Sequence, residues 1–230
     1  MFRGNDSKIK TEFLPVVESK NCEIAVVGLS TYYSYPNINE KNNEIIIVNY
    51  NKDKTKAKRT VIKFPKGCYE LEDINNVLTE KMKWKDEPKV KITADSITLR
   101  TLLFIDELWQ VIFEKNSLAS VLGFKNQMYY GKETYISERI ANILSVNNIL
   151  VQCDVISGSS INGKSAPVIF NYSPVVSAGN KIVAEPVIPI YLPVTVEFIN
   201  QMSVWITDQD NELLDLQGED LVVTFHLRTR

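Results

Sequence analysis

The chain has 230 residues, 44% of them hydrophobic and 23% charged, with 26 Lys and Arg against 28 Asp and Glu and a formal charge of −2. That balance excludes a disordered polyelectrolyte, and a chain of this length buries about 70% of the surface its unfolded form exposes, so its core requires no disulfide or metal. It also excludes an overall electrostatic match to nucleic acid or an anionic membrane, and neither specific nucleic-acid binding nor membrane association is expected.

Residues 1–15 read as a flexible N-terminal arm and residues 16–230 as one domain, because no linker, repeat or low-complexity run divides them. Strand patterning begins at Glu23–Leu29 and continues in Glu44–Asn49, a β-branched run suited to burial on both faces, and in Thr60–Phe64. After Pro65-Lys66-Gly67, the spacing of Leu71, Ile74, Val77, Leu78 and Met82 predicts a helix over Leu71–Met82, with Glu70, Glu72 and Asp73 at its N-terminal end. Strands are expected at Val90–Thr93, Ser96–Leu103 and Trp109–Phe113, then a second short helix capped by Asn116 and ended by Gly123 with Phe124 behind it. Period-two patterning returns in Ile149–Val155, Pro167–Phe170, Leu192–Phe198, Ser203–Thr207 and Leu221–Leu227. Pro186, Pro189 and Pro193 place an edge or an extended connection before Val194. About ten strands predict an all-β sandwich or barrel, and the long crossings suit a Greek key or jelly roll better than a simple meander, with two short helices plugging the open ends.

Catalytic chemistry finds little support. The three cysteines, Cys22, Cys68 and Cys153, are odd in number and widely spaced, which predicts free thiols in a reducing compartment. The chain shows no apolar run of signal-peptide or membrane-span length, so the sequons at Asn5 and Asn171 read as fortuitous. Gly158–Ser165 (GSSINGKS) fits the phosphate-cradling pattern G-x-x-x-x-G-K-[ST]. A phosphate site needs a helix directly after that loop, yet Ala166-Pro167-Val168-Ile169-Phe170 reads as a strand, so a hairpin loop is the expectation and a nucleotide-binding protein the disfavoured third reading. The one histidine, His226, falls mid-strand opposite Leu221, Val223 and Phe225, and Cys153 faces with apolar neighbours. No catalytic residue, metal ligand or cofactor is expected.

Charge and tyrosine distribution say more. Residues 1–115 hold 19 basic and 17 acidic side chains, and residues 116–230 hold 7 and 11. The basic excess concentrates in Asn51–Arg59, with Lys54, Lys56 and Arg59, and the acidic excess in Asp208–Asp220, with Asp208 and Asp210. Each suits a solvated hairpin, or the two suit head-to-tail association of subunits. Tyr32, Tyr33 and Tyr35 form one cluster, and Tyr129, Tyr130 and Tyr135 another; such loops serve as partner surfaces or pack beneath a long connection. Tyr32, Tyr33, Tyr35, Lys54, Lys56, Arg59, Tyr129, Tyr130, Asp208 and Asp210 are the candidate contact residues.

Three segments carry a resemblance. Phe64-Pro65-Lys66-Gly67-Cys68-Tyr69 leads into the helix with Ile74-Asn75; Ser117-Leu118-Ala119 runs to Leu122-Gly123-Phe124; and Val204-Trp205-Ile206-Thr207-Asp208-Gln209 is followed by Leu214-Asp215-Leu216-Gln217-Gly218-Glu219. In this order they resemble the minor capsid proteins of Polinton/Maverick elements and related adintovirus- and virophage-like viruses, whose pattern has Arg where this chain has Gln217. The resemblance implies a single jelly roll acting as a penton in the virion: a homopentamer at each icosahedral vertex beside a double-jelly-roll major capsid protein, without catalysis. The competing reading is a host- or carbohydrate-binding jelly-roll module, which requires exposed aromatic platforms.

Overall fold

Period-two alternation of apolar and polar residues runs through many of the strands of the computed structural model, which describes residues 1–85, 87–157, 159–161 and 163–230. The chain divides into two compact units, Met1–Tyr35 with Val146–Arg230, and Pro36–Ser145. The first unit opens with β1 (Phe2–Gly4), β2 (Lys8–Glu18) and β3 (Cys22–Tyr32). The second contains β4 (Glu44–Tyr50), β5 (Ala57–Lys63), α1 (Leu71–Met82), β6 (Val90–Ala94), β7 (Arg100–Ile105), β8 (Trp109–Ile112), α2 (Ala119–Leu122), β9 (Met128–Tyr130) and β10 (Glu133–Ile140). The chain then completes the first with β11 (Ile149–Cys153), β12 (Ser160–Ile161), β13 (Lys164–Ser165), β14 (Val168–Tyr172), β15 (Lys181–Ala184), β16 (Leu192–Pro193), β17 (Phe198–Thr207) and β18 (Leu221–Thr229).

The first unit is an antiparallel jelly roll. One sheet runs β1-β18-β3-β15, with β16 on the same edge of β3, and the other runs β14-β11-β17-β2. The chain swaps sheets repeatedly, at β1–β2–β3–β11, β14–β15 and β16–β17–β18, so each sheet interleaves early and late chain, as nested Greek keys do. Ile24, Val26, Leu29, Leu221 and Val223 of one sheet and Val151, Cys153, Val204 and Ile206 of the other share one core. The prolines sit where a ladder tolerates a missing donor: Pro193 ends the two-residue β16, and Pro15 lies in β2, an edge strand. Between β15 and β16, Val187, Ile188 and Ile190 stand out in solvent.

The second unit has its own core and its own sheets, β5-β4-β8-β9 and β10-β7-β6. Helix α1 has the predicted limits, with Ile74 and Leu78 fully buried, and the Asp73 carboxylate accepting from the Glu70 N–H at 2.8 Å. Gly123 ends α2 in the left-handed region at φ 80°, followed by the buried Phe124.

Several expectations are corrected. Residues 1–15 are not a loose arm: β1 pairs β18 and β2 pairs β17, because Phe2 and Ile9 add two apolar side chains to the core. The jelly roll does not span 16–230 as one domain, since residues 36–145 form a second unit around a separate core. Both helices belong to that unit, where they pack on its core rather than plugging the jelly roll. Asn116 does not cap α2; it adopts φ 66° and its carbonyl accepts from the Glu44 N–H. The alternation across Leu192–Phe198 yields only β16 and the first residue of β17, and of the expected strand Ser96–Leu103 only Arg100–Leu103 is strand, within β7, while the residues before it turn, held by Asp95 bonds to Ile97 and Thr98.

Truncating Phe2 to Ala should cost about 3 kcal/mol by loss of a buried ring, read as a lower urea midpoint; a loose arm would leave the midpoint unchanged. A Cβ on Gly123 would lie 2.2 Å from the Arg139 carbonyl oxygen, whereas one on Gly179, also at positive φ, meets nothing within 4 Å. Gly179→Ala should therefore cost about 1–2 kcal/mol and Gly123→Ala upward of about 3 kcal/mol in the same assay.

Candidate interaction surfaces

Adjacent residues on a strand point to opposite faces, and this rule sorts the tyrosines. Tyr33 and Tyr35 are 4% and 3% exposed, with their rings edge-to-face at 5.3 Å within the jelly-roll core. The Tyr33 hydroxyl donates to the Val146 carbonyl at 3.3 Å, and burial pushes the Tyr35 phenol above the ordinary tyrosine range. Tyr129 is 3% exposed among Phe113, Phe124 and Tyr135, with ring centroids 5.8, 5.3 and 5.0 Å away. These three are therefore corrected from contact residues to core residues. Tyr32 is half-buried opposite Lys181, and Tyr130 is 60% exposed. Of the tyrosine candidates only those two present aromatic surface, and the period-two rule applied within each cluster was the signal that could have separated them.

The charged loops are built differently. Between β4 and β5, Asn51 ties the turn together: its amide donates to the Thr55 hydroxyl and its carbonyl oxygen accepts from the Lys56 N–H, both at 3.0 Å. Lys54 and Lys56 are exposed, while Arg59 reaches Glu114 at 2.8 Å. Exposed pairs of this kind are worth about 0–1 kcal/mol. In the acidic loop the Asp208 carboxylate accepts from the N–H groups of Asp210 and Glu212 at 2.9 Å each, so it is committed to shaping the turn. Gln152, buried, donates to Thr207 and Asn211 at 2.9 and 2.8 Å, and Leu214 and Leu216 anchor the far side in the core. Asp210 projects into solvent and Asp220 pairs with Arg3 at 2.9 Å. The jelly-roll unit holds 8 basic and 13 acidic residues, a net −5, and the second unit 18 and 15, a net +3.

The remaining motifs form no reactive centre. Gly158 and Asn162 of the phosphate-loop pattern lie outside the described residues; Ser160–Ile161 and Lys164–Ser165 pair as the hairpin β12-β13, and the strand β14 follows where a phosphate site needs a helix. His226 is exposed, its Nδ1 2.8 Å from the Tyr191 hydroxyl, beside the Arg228 guanidinium that lies 3.5 Å over the Tyr191 ring and bonds Glu23. Cys153 is fully buried, and burial pushes its thiol up to about 12. Among the described residues no group of three or more His, Cys, Asp and Glu side chains could hold a metal, and no helix is long and apolar enough to cross a membrane.

The residues that carry the sequence resemblance are structural staples. Gly67 exchanges backbone bonds with Ile38, the Asn75 side chain bonds both backbone groups of Ile92, and the Gln217 amide donates to the Ser34 carbonyl.

No protein-family model matches the chain, and no curated protein matches its sequence. Among solved structures it is similar to the crystal structure of the selenomethionine-labelled mavirus penton protein, with a TM-score of 0.51 and 9% sequence identity over 98% of this chain and 92% of that one. At that identity the likeness is one of fold.

Because the unfolded thiol ionises near 9 and the folded one near 12, the unfolded state loses its proton first as pH rises. The stability Cys153 supplies should be intact below about pH 9 and fall away through about pH 12, by up to about 4 kcal/mol. Cys153→Ala should flatten that part of the alkaline denaturation profile; an unchanged slope would place the loss in other groups.

Proposed function

We propose that the protein is a structural capsid component of the penton type, which works by shape and charge contact with copies of itself and with lattice neighbours in a virion. The observation that carries this reading is the jelly-roll strand order, β1-β18-β3-β15 over β14-β11-β17-β2, in a chain whose fold likeness to a penton protein extends over 98% of its length. In this reading five copies close a vertex beside a double-jelly-roll major capsid protein. No catalytic step is needed for that role.

The chemistry of self-contact supports the reading. The two units carry opposite net charge, so an acidic surface of one copy meeting a basic surface of the next forms a heterologous contact that a rotation can close into a ring. After the corrections above, Lys54, Lys56 and Asp210 are the candidate charges that make no ion pair among the described residues, with half-buried Tyr32 and exposed Tyr130 as aromatic area. Arg59 and Asp208 already have partners within the subunit.

Native mass spectrometry of the purified chain, alone and co-expressed with a double-jelly-roll major capsid protein, tests the proposal. Pentamers that fall apart as salt rises are expected, since contacts between exposed charges are screened over about 10 Å at 0.1 M. Asp210→Lys or Lys56→Glu should each raise the concentration of half-dissociation severalfold, and the double reversal should recover part of it. A monomer in every arm overturns the proposal.

A further inference from the structure

The sheet β5-β4-β8-β9 turns one face into the core of its unit, and its other face is buried at Ile46 and Val48 of β4 but leaves Tyr50 half-buried and Tyr130 exposed. Ile47, Val111 and Tyr129 lie in register across β4, β8 and β9 and point into the core of their unit. The next row, Val48, Gln110 and Tyr130, therefore lies on the opposite face, and Tyr50 follows Val48 on that side by the two-residue period. Around this row Tyr50, Gln110 and Tyr130, with Lys54 from the β4–β5 turn and Glu107 and Trp109 from the start of β8, enclose a pocket of about 250 Å³. The Tyr50 hydroxyl donates to the Gln110 carbonyl oxygen at 3.3 Å, which fixes the amide. Among the described residues the Gln110 amide nitrogen has no hydrogen-bond partner and the Lys54 ammonium makes no ion pair.

We propose that this pocket binds one ring of an anionic saccharide. The 60% exposed Tyr130 offers a flat face on which the C–H surface of a pyranose stacks. Gln110 donates to ring hydroxyls and the exposed Glu107 carboxylate accepts from them. Lys54, in a loop that also exposes Lys52, Lys56 and Lys58, takes the carboxylate or sulfate. The volume lies below the roughly 300–1,000 Å³ of sites for drug-sized ligands, so it selects a single ring. Single-stranded nucleic acid shares the need for aromatic and basic groups, but it tracks several bases over successive aromatics. Here Tyr130 is the one exposed ring among those lining the pocket, so there is no succession of exposed aromatic faces. The site does not depend on the capsid reading, since it lies wholly within residues 50–131.

Saturation-transfer NMR and calorimetry of the full chain with 3′-sialyllactose, a sulfated heparin tetrasaccharide, neutral lactose and a dT oligonucleotide test it. At least one of the two anionic saccharides should bind at least tenfold more tightly than lactose. Tyr130→Ala and Lys54→Glu should each weaken it about tenfold or more, and Lys115→Glu, an exposed lysine outside the pocket, should leave it unchanged. The proposal fails if neither anionic sugar binds, if lactose binds as well, if the oligonucleotide binds more tightly, or if Tyr130→Ala has no effect while charge reversals do, which would reduce the site to a basic patch.

Discussion

Everything in the first unit depends on keeping β3 and β11 in place around one core although residues 36–145 leave the sandwich between them. Closing so long an excursion is inexpensive, because loop entropy grows only with the logarithm of length, and the excursion carries a core that offsets its own ordering. What must be secured is the crossing point. In the jelly roll the Tyr33 hydroxyl, at the outgoing strand, bonds the carbonyl of Val146, where the chain returns. In the second unit the buried Asn37 amide bonds the carbonyls of Tyr69 and Ile143, and its oxygen accepts from the Tyr69 N–H, so entry and exit are clasped there as well. With both crossings held, β18 lies against β3 from Thr229 opposite Cys22 to Val222 opposite Ser30, a pairing between the two ends of the chain.

Elements whose pattern is intrinsic were legible in the sequence. EIIIVN could only be a covered strand, the apolar stripe from Leu71 to Met82 could only be a helix, and Gly123-Phe124 announced a glycine-ended turn. What escaped depended on partners. Lys8–Glu18 buries only Ile9, with Phe13 and Val17 half-buried against the core, and its strand depends on the ladder that β17 offers. The division into two units escaped for a related reason: residues 36–145 are inserted between β3 and β11, so comparing the two halves of the chain does not isolate them. Only the three-dimensional grouping of the apolar residues into two clusters separates them.

The candidate surface was half legible for the same reason. Charge is read directly from sequence, and Lys54, Lys56 and Asp210 are as exposed as a charged turn suggests. Tyrosine is amphipathic, so a cluster of tyrosines describes a core and a surface equally well. The strand period resolves it: in Tyr32-Tyr33 and in Tyr129-Tyr130 one ring of each pair is taken by the core and the other is left outward. The pocket residue Gln110 was invisible because its significance comes from register, which sets it between Val48 and Tyr130 on neighbouring strands.

The two faces of the β5-β4-β8-β9 sheet are constrained unequally. Its core face carries the stability of β4, β8 and β9 through Ile47, Val111 and Tyr129, all nearly or fully buried. In the row beyond it Val48 is buried, whereas the 60% exposed Tyr130 can change at the cost of a surface substitution, usually within about 0.5 kcal/mol. That asymmetry makes Tyr130, at the edge of the row, a position whose chemistry can vary while the core face of the same sheet stays fixed.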